Sequence, residues 1–205
     1  MSINTKLVDA ARSEWTRWGF SVAPLHKPKK IGGVEGDNPF SSFVHEYWVA
    51  VGRPERNGHT PLPWSAAFIS FCFAAAGAGK AFPGSEGHFH YCAAILKGMA
   101  KPNPAITLED PSTTDIKVGD LVWAGRSGEG CVRPPRSFTE AMSALKDPRN
   151  FFCSHADLVV SLRDGEADVI GGNVSDSVTQ TTYVTTNGKI SDPRHTWLAV
   201  IRNTI

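Results

Sequence analysis

No run of this sequence reaches the ~18 consecutive apolar residues that a membrane-crossing helix needs. Charge of one sign is missing too. Lys and Arg total 21 against 20 Asp and Glu, a formal net charge of +1, which gives no electrostatic footprint for nucleic acid or an anionic membrane. Cysteine is scarce, and Cys72, Cys92, Cys131 and Cys153 show no metal-ligand spacing. They are expected as free thiols of a soluble chain made in the cytoplasm. The opening residues, Met1 to Lys6, lack the basic-then-apolar layout of a secretory signal. Repeats and low-complexity tracts are absent as well. What is there is 205 residues, 41% of them hydrophobic, enough to bury a core without a disulfide or a structural metal.

Apolar positions at Leu7, Ala10, Ala11, Trp15 and Trp18 predict an amphipathic helix over residues 3–19. A Pro- and Gly-rich loop follows, with the cluster Lys27-Pro28-Lys29-Lys30 read as a solvated turn. A second helix is expected over 41–52, capped by Ser41 or Ser42. The segment Pro63 to Gly77 is almost wholly apolar, with Pro where a helix begins and Gly where it ends. A helix apolar all round is a buried one. After a shorter helix bearing His88, His90 and Tyr91, the pattern changes to β-branched runs at 119–124, 157–162, 167–170, 178–185 and 197–201. Helices first and then a mostly antiparallel meander of about five strands make an α+β fold. Residues 1–40 read as an N-terminal elaboration and 41–205 as the main domain. The loop from Gly125 to Cys153 exceeds the ~12–15 residues usual in a compact domain and is therefore expected to be functional or mobile.

Ser65 lies in the first turn of the buried helix, where unpaired N–H groups and a partial positive charge stabilise an oxyanion. A helix cap is the plain alternative for a serine there. A second signal favours chemistry. Ser154-His155-Ala156-Asp157 puts His155 at a strand mouth and Asp157 on the same strand face. The turn Asp164-Gly165 folds the next strand back as a hairpin, returning Asn173 to the level of His155. Nucleophile, base and orienting amide make a catalytic set of Ser65, His155 and Asn173. Trp64, His88, Arg126 and Asp157 are candidate substrate contacts, with Trp64 read as core or cleft wall, Arg126 as a carboxylate clamp or a solvated loop arginine, and Asp157 also as a charge for the His155 imidazolium if its side chain reaches. Zinc is disfavoured, because His88 and His90 at i and i+2 on a helix point ~200° apart. Neither a metal nor another cofactor is expected.

The order of these motifs resembles the NlpC and CHAP superfamily of papain-like peptidoglycan hydrolases. Trp64-Ser65-Ala66-Ala67-Phe68-Ile69 is similar to that superfamily's nucleophile helix, which typically has Cys where Ser65 stands. Gly119-Asp120-Leu121-Val122 matches its strand-opening turn, and Ser154-His155-Ala156-Asp157-Leu158-Val159 its histidine strand. The chain looks closest to an uncharacterised bacterial branch, through Tyr47-Trp48, Pro63 to Ser70, Phe82-Pro83 with Ser85 and His88, and Gly171 to Ser175. The resemblance spans residues 40–202. It implies a papain-like hydrolase domain over 41–205 that cleaves an amide bond of peptidoglycan, as amidase or endopeptidase.

Serine in place of cysteine matters, because a thiol near pKa ~8.5 ionises readily beside a histidine and a hydroxyl does not. His155 must then act neutral and take the proton during attack. Ser65 is read as a native nucleophile, as an engineered cysteine replacement, or as part of a relic that only binds. A non-catalytic cell-wall or protein-binding module and an acyltransferase or thioester-type hydrolase are the rival functions. Without a signal peptide, lipidation motif or membrane span, a murein hydrolase must be carried to the periplasm. Of two carriers, a phage lysis programme and an injection apparatus, the second is favoured: the expectation is an antibacterial toxin delivered by a secretion apparatus, type VI in kind, with a cognate immunity protein and no nucleic-acid or membrane partner.

Overall fold

The computed structural model describes residues 2–23 and 30–205. The lysine cluster, apart from Lys30, lies outside them. Five α-helices and a mixed sheet are present among the described residues: α1 (Ile3–Arg17), β1 (Ser21–Ala23), α2 (Phe40–Ala50), α3 (Ser65–Ala75), α4 (His88–Gly98), β2 (Ile106–Glu109), β3 (Leu121–Gly125), α5 (Phe138–Ala144), β4 (Ser154–Arg163), β5 (Glu166–Gly171), β6 (Thr179–Thr186), β7 (Lys189–Ile190) and β8 (Thr196–Asn203). The sheet order is β1-β6-β5-β4-β3-β8-β2, with β7 on β6. Every pairing is antiparallel except β1 with β6. The α+β architecture expected from the sequence is present. The five long runs are β3, β4, β5, β6 and β8, and the three added strands are too short to carry a periodicity.

Period-two alternation divides the sheet between two cores. Leu121, Trp123, Ala156, Leu158 and Ile170 join the helices in the larger cluster. Val122, Val159, Val169 and Tyr183 form the smaller one on the other face. Helix α3 is the centre of the larger core, with Ala67 and Phe68 at 0% exposure. It is held on one side by α1 and α2, through Trp18 stacked on Trp64 at 5.3 Å and Tyr47 edge-on to Phe68 at 5.4 Å. The N-terminal segment read as an elaboration supplies α1 to this core and β1 to the sheet edge.

Two expectations need correction. Helix α2 begins after Pro39, with no side-chain cap from Ser41 or Ser42. Cys131 and Cys153 are joined by a disulfide, with Cα atoms 5.5 Å apart, while Cys72 and Cys92 are free and buried. The register explains the bridge. Gly125 pairs with Ser154, so the long loop must leave and re-enter the sheet at neighbouring points, and Cys153 sits at its return.

Candidate active site

The backbone bond from Phe68 N–H to Trp64 O, 2.9 Å, is the first of the α3 ladder. The amides of Ser65, Ala66 and Ala67 therefore stand ahead of it as the open, positive end of the helix. Ser65 is its first residue, and its hydroxyl does not cap the helix. Instead Oγ lies 3.0 Å from His155 Nδ1. His155 Nε2 lies 2.8 Å from Asp157 Oδ1, and the Tyr183 hydroxyl donates to Asp157 Oδ2 at 2.9 Å. The result is a continuous relay from a helix terminus into the sheet.

Asp157 is 2% exposed. Burial pushes its carboxyl up, but the attraction and hydrogen bond of His155 and the bond from Tyr183 outweigh that and hold it below the usual carboxylate range. The group is therefore ionised at neutral pH, a pure acceptor between two donors.

Asn173 does not orient His155. The single Nε2–H of the ring is spent on Asp157, two residues away on the same strand face. Strand β5 ends at Gly171, and Asn173 turns out of the ladder with φ +57°. It lines a cavity with His155 instead. Trp64 is not a substrate contact either. It is 0% exposed, stacked on Trp18, and its indole N–H donates to Glu35. His88 is where the resemblance puts it, lining the cleft beside Ser65; the residue is 6% exposed, and its Nε2 is bonded to Ser65 Oγ. Arg126 is exposed, and its guanidinium makes no hydrogen bond or ion pair among the described residues.

His155, Arg126 and Ser127 line two cavities. One, about 370 Å³, lies beside Ser65 and is walled by Pro63, Phe89, Phe151 and Phe152 with the Cys131–Cys153 bridge. The other, about 430 Å³, runs along the opposite sheet face past Asn173, Tyr183, His195 and Trp197. At the rim of the first, Glu86 is held down to about 2 by hydrogen bonds from Arg53 and Arg56, so its charge is already matched.

Tyr183, Tyr91 and Gly171 are site residues that the sequence reading did not single out. Tyr91 carries a usable signal, because i and i+3 share a helix face with His88. Tyr183 carries none beyond strand alternation. Gly171 matters by what it lacks: a Cβ there would fall 1.8 Å from Asp157 Oδ1 and 3.1 Å from His155 Nε2. At Gly172 a Cβ would meet Phe68 and Trp64 at 2.6–2.7 Å. Gly172 lets the end of β5 close onto the start of α3, and Gly171 leaves room for the Asp157 carboxylate. Gly171→Ala is expected to displace the Asp157 carboxylate and lower turnover ~10²-fold, the usual effect of a misplacement near 1 Å. Activity measured beside a thermal melt checks this, since a variant that melts early has lost packing rather than geometry.

The family model described as an uncharacterized protein conserved in bacteria, DUF2272, matches residues 35–203. The chain belongs to this family. Ser65, His88, Tyr91, His155, Asp157 and Tyr183 all fall within the DUF2272 match, whereas α1 and β1 precede it. No curated protein and no solved structure matches the chain.

Proposed function

We propose that this DUF2272 protein is a serine hydrolase that cleaves an amide bond of peptidoglycan, as amidase or endopeptidase, on a papain-like fold. The observation that carries the enzymatic part is the unbroken relay Ser65–His155–Asp157 at the open end of α3. The motif resemblance supplies murein as the substrate class. In the first step Ser65 Oγ bonds to the carbonyl carbon, its proton passes to His155 Nδ1, and the carbonyl π pair moves onto oxygen. Free amides of α3 face that charge. On collapse the C=O re-forms, the C–N bond breaks, and the amine leaves with the proton from His155. Water repeats the sequence on the acyl-enzyme. Asp157 steadies the imidazolium and does not take its proton.

The disulfide Cys131–Cys153 at the cavity wall supports action in an oxidising compartment such as the periplasm. Among the described residues no helix is long and apolar enough to cross a membrane. Delivery by a secretion apparatus and a cognate immunity protein that plugs the cleft complete the proposal. Purified sacculi incubated with the protein are expected to release muropeptides or expose new amino groups. Expression with an added export signal is expected to lyse bacteria, and expression without one is not. Intact sacculi together with equal growth in both compartments would remove the cell wall as target. Retained ester hydrolysis in that case would favour the acyltransferase or thioesterase alternative.

A further inference from the structure

The mechanism so far uses one imidazole on Ser65, and the structure holds two. His88 Nε2 lies 2.9 Å from Ser65 Oγ, on the same hydroxyl that reaches His155 Nδ1 at 3.0 Å. The two rings meet edge to face, with centroids 5.4 Å apart. His88 is the first residue of α4 and is fixed there by neighbours. The Ser85 amide donates to Ser70 Oγ on α3 at 3.0 Å, and Phe82 stacks on Phe73 at 3.9 Å. This placement belongs to the fold and not to a mobile side chain.

Counting protons assigns the direction of each bond. A serine hydroxyl has one hydrogen to donate. Ionised Asp157 only accepts, so His155 must carry its hydrogen on Nε2 and leave Nδ1 bare. Ser65 therefore donates to His155, and a second imidazole on Oγ has to donate to it. That puts a hydrogen on His88 Nε2 and leaves His88 Nδ1 as acceptor. The group at Nδ1 is the Tyr91 hydroxyl, 2.5 Å away, which can donate. The chain then runs one way from Tyr91 through His88, Ser65 and His155 to Asp157, with every member satisfied.

Resting on the serine-hydrolase reading, we propose that His88 is a second catalytic imidazole that works as a neutral N–H donor and never as the base. It turns the Ser65 proton toward His155 and then transfers its own hydrogen bond from Oγ to the carbonyl oxygen as the tetrahedral intermediate forms. As Oγ bonds to carbon and gives up its proton it becomes an ether-type oxygen, a weaker acceptor, while the full negative charge appears on an oxygen attached to that same carbon. His88 keeps its proton throughout, so the proton balance of the reaction is unchanged. The division of labour follows from counter-charge. His155 has a carboxylate behind it, whereas the titratable groups facing His88 are the His155 imidazole and the Arg126 guanidinium, neither of which offsets a positive charge there. Burial, reinforced by those two, pushes His88 well below the ordinary imidazole range. A neutral histidine that polarises a carbonyl is a known catalytic device.

The first test is the ¹⁵N signature of the His88 ring in the full-length wild-type chain. The Nε2–H tautomer is expected, with shifts constant from pH 5 to 9. An Nδ1–H tautomer, or protonation within that range, overturns the proposal. This reading needs no turnover, so it stands even if the hydrolase reading fails. The second test uses p-nitrophenyl acetate. His88→Ala is expected to lower kcat ~10²–10³-fold, as loss of one oxyanion donor does, with KM little changed. His88→Gln, whose amide N–H can stand in, is expected to recover part of that loss. The acidic limb of the pH profile should stay where the wild type has it in both variants. Wild-type kcat in His88→Ala, or a displaced acidic limb, overturns the role. A wild type that neither hydrolyses the ester nor reacts with a fluorophosphonate sinks the hydrolase reading instead.

Discussion

Ser65→Ala is expected to reduce turnover ~10⁶-fold, the magnitude seen when a serine nucleophile is removed from an intact triad. Labelling by a fluorophosphonate should vanish with it. The size of the effect follows from where Oγ spends its bonds. Its two partners are imidazole nitrogens on two different elements, and it contributes nothing to capping α3. Alanine therefore removes the nucleophile and leaves the helix start in place. Two ring nitrogens lose a buried partner, which costs about 1–3 kcal/mol, a lowering of the melting midpoint by several degrees for a chain of this size. Mass spectrometry of the labelled protein and a thermal melt separate the chemical loss from the structural one. Undiminished turnover in Ser65→Ala would defeat the mechanism outright. Ser65→Cys is the companion: a site that resembles the cysteine-dependent superfamily is expected to accept a thiolate there and keep measurable activity.

The second large effect is expected at Asp157. Asp157→Asn should lower kcat ~10⁴-fold, the magnitude found when the orienting carboxylate of a triad becomes an amide. The carboxylate accepts from two donors at once, His155 Nε2–H and the Tyr183 hydroxyl. An amide offers one oxygen and one NH₂. If the oxygen faces Tyr183, the NH₂ faces His155, which must then move its hydrogen to Nδ1. Nδ1 is the atom that has to accept the Ser65 proton, so the wrong tautomer blocks the base. If the oxygen faces His155, the tautomer survives but the Tyr183 hydroxyl meets NH₂ and the charge behind the imidazolium is gone. Steady-state kinetics with the ¹⁵N shifts of His155 distinguish the two outcomes. A variant within tenfold of wild type would show that His155 does not depend on this carboxylate. Tyr183→Phe removes one donor while keeping the charge and is expected to be much milder.

The features legible in the chain before folding were local. Proline at 63, glycine at 77 and an apolar run between them specify α3, because a helix with no polar face has only the core to occupy. Asp164-Gly165 specifies the β4–β5 hairpin, and Gly165 takes the positive φ (+73°) that such a turn needs. Strand alternation alone puts His155 and Asp157 on one face, and helix spacing alone puts Tyr91 beneath His88. These are pairs two or three residues apart, where backbone period fixes the geometry. The remaining contacts follow from how distant elements pack. Ser65 meets His155 across 90 residues and His88 across 23, and neither separation has a period to read. Whether Asp157 or Asn173 takes the one N–H of His155 depends on where β5 stops pairing and on a missing side chain at Gly171. The disulfide depends on two strand ends lying side by side, and Trp64 became core because α1 stacks over it. In each case the outcome is set by which elements pack together, and packing follows from how all the apolar faces of the chain are buried at once.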